Sequence, residues 1–245
     1  MTSLADKAIK EAASIKQPST HGVLNWLNRV VEGKFFINDD GSVDVEGSVS
    51  IVAWNEGLQP VQFGKVTKNF YLSGLDSGEE FAGYPRHVGE NFGIYYRETT
   101  RASEFEPPGF VPLTPSVPWP DFVGGTFALD AEITKLGKMP EVVLGNLILY
   151  SSRLKSMDGA PRCIGKDLYL YGINKPALKS CSIFNGFPDV VAGDCIIDIS
   201  ESFEPTRKCQ ELCRALVDKI STRVGGSVTL LENGNDLDAY SDFAP

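Results

Sequence analysis

Cys209 and Cys213 stand four residues apart in PTRKCQELCRALVDKISTRV, a spacing that puts two thiols on one face of a helix. Two thiolates on one face are half of a tetrahedral zinc site. Nothing completes it: no histidine follows, and neither cysteine belongs to a CxxC pair. Leu212, Leu216, Val217 and Ile220 share the same face and Pro205 suits the first turn, so the segment reads as an amphipathic helix with two buried thiols. The chain has only two histidines, His21 and His87, and neither has a serine or cysteine nucleophile context. Asn38 to Asp44, NDDGSVD, has a faint calcium-loop look but lacks the alternating ligands and terminal glutamate of an EF-hand. Asp40-Gly41 between FFI and VDV reads better as a hairpin turn. No phosphate-binding or dinucleotide motif is present, and the VGG at Val123 and Val224 reads as turn chemistry. These residues predict no enzyme, no cofactor and no metal.

The elements behind these residues repeat. Val45, Val66, Val88, Val123, Val143, Ile164, Val191 and Val224 are each followed by apolar residues four and six positions on. Position +4 reads Val49, Phe70, Phe92, Phe127, Leu147, Leu168, Cys195, Val228, and position +6 reads Ile51, Leu72, Ile94, Leu129, Leu149, Leu170, Ile197, Leu230. Glycine stands at +1 or +2 in seven of the eight repeats, and five carry proline at −3: Pro85, Pro120, Pro140, Pro161 and Pro188. The anchor spacings of 21, 22, 35, 20, 21, 27 and 33 residues describe a period near 20 with three longer excursions. Proline has no N–H to donate and suits a corner before a strand, while +4 and +6 share one strand face and point inward. One such unit buries too little apolar surface to stand alone; stacked units share a core. The expected fold is a β-rich solenoid of about eight coils.

The passages LKSMDGAPRCIGKDLYLYG and IFNGFPDVVAGDCIIDIS resemble the repeats of leucine-rich-repeat-like proteins encoded by tailed bacteriophages. That theme is a Leu, a turn, Gly-x-Pro, x-x-Val-Gly-Gly and an alternating strand. FFINDDGSVDVEGSVSI followed by LQPVQFGKV is similar to the opening of the same proteins, so the resemblance spans Phe35 to Leu231. The Asn of ordinary leucine-rich repeats is mostly missing. The resemblance implies a phage-encoded protein that works in the host cytoplasm on a host protein, in takeover or anti-defence. The alternative is a virion component of capsid or tail.

Around the solenoid, residues 1–34 read as a helical cap of two helices, Leu4 to Ile15 and a second capped by Ser19 or Thr20. Val23, Leu24, Leu27, Val30 and Val31 form the second helix's stripe, and Gly33 closes it. The pair would cover the open end of the solenoid or dock a partner. Residues 35–231 form the solenoid, with a proline-rich insert over 95–122 and the helix over 205–221. The insert carries Phe105, Phe110, Val111 and Trp119, so it either folds back on the surface or presents a binding element. Residues 232–245 are an acidic tail.

Net charge of −9 argues against a nonspecific nucleic-acid binder. No run of 18 apolar residues occurs, so no membrane-spanning helix is expected, and the charged N-terminal stretch does not read as a secretory signal. Five cysteines without regular pairing fit a reducing compartment. What remains is surface. Positions +5 and +7 point outward, and five of the eight tyrosines fall there: Tyr71, Tyr95, Tyr150, Tyr169 and Tyr171. With Ile148 and Ile196 beside them they form the candidate partner-binding set, the partner being a host protein, a virion protein or a second copy of the chain. Cross-strand stacking, or cover by the insert, is the structural alternative. The +3 column of Ser48, Asn69, Asn91, Thr126, Asn146, Asp167, Asp194 and Ser227 is expected to satisfy backbone groups at the turns.

Overall fold

The computed structural model describes residues 20–75, 81–96, 118–131, 133–151, 153–173, 182–199, 215, 217–232 and 235–236. The expected first helix, most of the proline-rich insert, Cys209 and Cys213 lie outside the described residues. The fold is strand-rich, with sixteen strands in one hydrogen-bonded sheet among the described residues.

The chain enters through helix α1 (Thr20–Val30), whose Trp26, Leu27 and Val30 are buried. Trp26 lies 6.3 Å from Phe63, and its indole N–H donates to the Gly57 carbonyl oxygen at 3.0 Å, so the helix closes over the first repeats. The helix was expected to run through Val31 and stop at Gly33. It stops at Val30, and Val31–Ile37 forms strand β1. The reason is pairing: β1 lies antiparallel to β2 (Val43–Val52), in register from Val31 opposite Val49 to Ile37 opposite Val43. The turn between them is the hairpin expected at Asp40-Gly41, with Gly41 at φ 80° and Ser42 N–H bonded to Asp40 Oδ1 at 2.9 Å. A four-residue helix α2 (Ala53–Glu56), unforeseen from the pattern, follows β2.

From β2 the sheet grows as two parallel series. The anchors form one, in β3 (Phe63–Val66), β5 (His87–Val88), β7 (Phe122–Val123), β9 (Val142–Val143), β11 (Cys163–Ile164) and β13 (Val190–Val191). Val45 pairs with Val66, and the series continues through Val88, Val123, Val143, Ile164 and Val191 to a bridge at Val224. The other series is β4 (Phe70–Leu75), β6 (Phe92–Tyr96), β8 (Phe127–Asp130), β10 (Leu147–Tyr150), β12 (Leu168–Ile173), β14 (Cys195–Ile199) and β15 (Val228–Glu232). There each +4 residue pairs with the next +4 and each +6 with the next +6. The +4 column is fully buried from Val49 to Cys195, with Val228 partly buried at its end. The +6 column is buried from Ile51 to Leu230. Burial pushes the Cys195 thiol up to about 12, so it sits in this column as a neutral hydrophobe.

The +3 column does what its polarity suggests. Asn69 Oδ1 accepts the Asn91 N–H at 3.1 Å, Asn91 Oδ1 that of Thr126 at 2.8 Å, and Asp194 Oδ1 that of Ser227 at 2.7 Å. The glycine after an anchor is a matter of space: a Cβ at Gly165 would run into the Leu144 carbonyl oxygen of the neighbouring strand's turn. All five −3 prolines are buried at the corners. The residues just before four of them add a core column that the repeat pattern did not reveal: Tyr84, Trp119, Met139 and Phe187. Trp119, expected on the insert, is 3% exposed and packs between Tyr84, Phe92 and Phe127.

At the C-terminal end, residues 217–221 are helical and bury Ile220, in line with the amphipathic stripe. Glu232, the first residue of the expected acidic tail, ends β15, and with Leu231 it pairs antiparallel with β16 (Asn235–Asp236).

Candidate functional site

The two outward rows follow from strand parity, and pairing sets them in register. Ser50, Tyr71, Gly93, Ala128, Ile148, Tyr169, Ile196 and Thr229 lie opposite one another on successive strands. Two positions on run Val52, Ser73, Tyr95, Asp130, Tyr150 and Tyr171. All seven expected partner-binding residues therefore share one face.

They form two groups. Tyr150 and Tyr171, directly opposite on β10 and β12, stack at 5.3 Å between ring centroids with 28° between planes. Tyr169 stacks on Tyr171 at 6.0 Å and 11°, flanked in its row by Ile148 and Ile196. The second group is Tyr71 and Tyr95, tilted at 6.4 Å. Both rings lie over Gly93, where a Cβ would meet Tyr95 at 2.7 Å and Tyr71 at 2.9 Å. Buried Ala128 and exposed Asp130, on the strand between them, separate the two groups. Tyr95 and Tyr150 are 38% and 39% exposed; the other five residues are half-buried. Stacking along the ladder and an outward-facing apolar surface thus occur together.

Three of the phenols are held above the ordinary tyrosine range. Burial, then the Asp198 carboxylate, raises Tyr171 above its ordinary value, and burial, then Asp167, raises Tyr169. Tyr169 Oη donates to Asp167 Oδ2 at 3.2 Å. Tyr95 is raised by burial, then by Tyr71 and Asp130. The face presents flat apolar rings with hydroxyl donors at a carboxylate rim, an arrangement suited to recognition of a protein surface.

A second outward stripe escaped the pattern. On the anchor series, position −1 carries His87, Phe122, Val142, Cys163 and Val190, with Leu144 beside them. Val142, Leu144 and Val190 are exposed, and His87 stacks on Phe122 at 4.6 Å. Arg162 Nε donates to Asp189 Oδ2 at 2.8 Å along its edge. The signal was the doublet ending at each anchor (HV, FV, VV, CI, VV), whose first member parity turns outward.

Among the described residues no group of three or more His, Cys, Asp or Glu could hold a metal ion, and no helix is long and apolar enough to cross a membrane. Asp40 spends its carboxylate on the hairpin, accepting from Ser42 Oγ and N, which holds it below the usual carboxylate range. Compared with protein-family models, curated proteins and solved structures, the chain finds no match in any of the three.

Proposed function

We propose that the chain is a non-enzymatic binding protein, built as an eight-coil leucine-rich-repeat-like solenoid, whose Tyr150–Tyr169–Tyr171 patch docks a protein partner. The stacked-coil reading rests on the parallel pairing of successive anchors from Val45 to Val224. The binding reading rests on one observation: three stacked tyrosines, flanked by Ile148 and Ile196, on the outward face of directly paired strands. Rigid aromatic side chains give contact area at small entropic cost, and a sheet holds them without a loop to order. Tyr71 and Tyr95 extend the same face and would take a longer partner. The resemblance to phage-encoded proteins makes a host protein in the host cytoplasm the expected target. A component of the virion is the alternative partner.

The test is capture from infected-cell lysate on immobilised wild-type chain and on Tyr150→Ala/Tyr169→Ala/Tyr171→Ala, with mass spectrometry of purified particles alongside. A host protein held by wild type and lost by the triple variant supports the proposal. Many copies of the chain in particles would move the target to the virion. Equal capture by both proteins would remove the tyrosine patch from the interface.

A further inference from the structure

Strand β1 is the outer edge of the sheet at its N-terminal end. Among the described residues it pairs only with β2. The direction of its free groups follows from β2's other bonds. Val43 N–H donates to Gln62 O, Val45 O accepts from Thr67 N–H, Gly47 N–H donates to Thr67 Oγ1 and Val49 N–H to Asn69 O. The odd-numbered residues of β2 thus turn away from β1, and Asp44, Glu46 and Ser48 face it. Their partners Phe36, Lys34 and Glu32 make the ladder bonds. The N–H and C=O groups of Gly33, Phe35 and Ile37 then point outward from the edge, the template that a further strand needs. Phe36 and Ile37 are 49% and 55% exposed beside it.

We propose that β1 pairs antiparallel with β1 of a second copy of this chain, centred on Gly33. The occupant follows from charge. Glu32 and Lys34, both exposed, flank Gly33 on the same strand face. With Gly33 opposite its own copy, Glu32 of each chain stands opposite Lys34 of the other, and Val31 opposite Phe35. Lys34 already faces Glu46 across β1 and β2, so each side of the dyad carries an alternating row: Glu46, Lys34, then Glu32 and Ser48 of the second copy. A shift of the centre to Lys34 would set lysine against lysine, which disfavours it. A centre on Phe35 would place Lys34 against Phe36 and forfeit both ion pairs. A lysine in an edge strand ordinarily discourages pairing. Here the neighbouring glutamate makes one register self-complementary. Such an isologous contact closes on itself and joins two sheets into one. It uses no residue of the tyrosine face, so it stands or falls independently of partner binding there.

Sedimentation equilibrium of the full chain, with the 26.7 kDa monomer mass as reference, reads the association. Wild type is expected to approach twice that mass as concentration rises. Glu32→Lys and Lys34→Glu alone are each expected to raise the dissociation constant roughly tenfold, because each sets like charges opposite twice. The double variant Glu32→Lys/Lys34→Glu restores both pairs and is expected to return to within about twofold of wild type. Thermal melts verify that the exposed changes leave the fold intact. A chain that stays monomeric at all concentrations, single variants as tightly associated as wild type, or a double variant as weak as the singles would each overturn the proposal. The first result includes cover of the edge by the chain's own N-terminal residues; the second includes association through another face.

Discussion

The sheet carries two ladders of stacked rings, a phenylalanine stack buried in its first half and a tyrosine stack facing outward in its second. In the +4 column Phe70, Phe92 and Phe127 follow one another, with Phe70 and Phe92 stacked at 5.6 Å and Phe92 and Phe127 at 4.9 Å. Phe63, Phe81, Tyr84 and Trp119 complete that cluster. Beyond Phe127 the same column narrows to Leu147, Leu168 and Cys195, and the stacked rings move to the opposite strand face as Tyr150, Tyr169 and Tyr171. Ring spacing is nearly the same in both places. What differs is parity along the strand and a hydroxyl group. An in-register ladder stacks aromatic side chains wherever they fall; burial makes one stack a core, and exposure makes the other a surface. On the outward face over the phenylalanine stack, Gly93 lies beneath the rings of Tyr71 and Tyr95, with Ala128 opposite it on the next strand.

The largest expected effect falls on the inner stack. Phe92→Ala removes a fully buried ring from contact with Phe70, Phe127, Tyr84 and Trp119 and is expected to cost about 3–5 kcal/mol. Leu168→Ala, in the aliphatic half, is expected to cost about 2–5 kcal/mol, so the two should lie close if one core runs through both halves. Urea unfolding checks both. A Phe92→Ala loss under about 1 kcal/mol would mean that the aromatic half is not a packed core.

Next comes the polar column that joins the repeats. Asn91 Nδ2 donates to Asn69 Oδ1 at 2.9 Å while its Oδ1 accepts the Thr126 N–H. Asn91→Ala leaves that part-buried N–H unpaired and is expected to cost about 1–3 kcal/mol in the same assay. Asn91→Asp keeps the acceptor and should recover part of the loss.

The smallest effect is read by pH on the outward face, where three phenols are shifted. Folding raises the phenols of Tyr95, Tyr169 and Tyr171 above the ordinary value near 10. Their contribution is fully present below that value and is lost as pH rises through the higher folded values, since the unfolded chain ionises first. Ultraviolet titration should therefore show three phenols ionising late, with stability declining above about pH 10. Ionisation of all tyrosines together at the ordinary value would contradict the half-buried placement.

How much of this could be read in advance follows from periodicity. The anchor, +4 and +6 residues were legible because strand side chains alternate strictly and eight repeats hold the same offsets. The tyrosine face was legible for the same reason. Tyr84, Trp119, Met139 and Phe187 were not, because they enter the core from the corners before proline, where no two-residue period applies. Val31 extends the apolar stripe of α1, so the switch to strand one residue after Val30 left no mark; only pairing with β2 reveals it. The outward doublets, such as Val142-Val143, looked like plain strand because both members are apolar.

The most direct test of the central claim is the affinity of the captured protein for wild type and for Tyr150→Ala/Tyr169→Ala/Tyr171→Ala, measured by calorimetry, with thermal melts of both. If the outer stack is an interface and not a core, the melts should differ little while affinity falls by about 100-fold or more. Unchanged affinity with unchanged melting would place the interface elsewhere. Loss of the folded state in the triple variant would show that the outer stack, like the inner one, holds the sheet together.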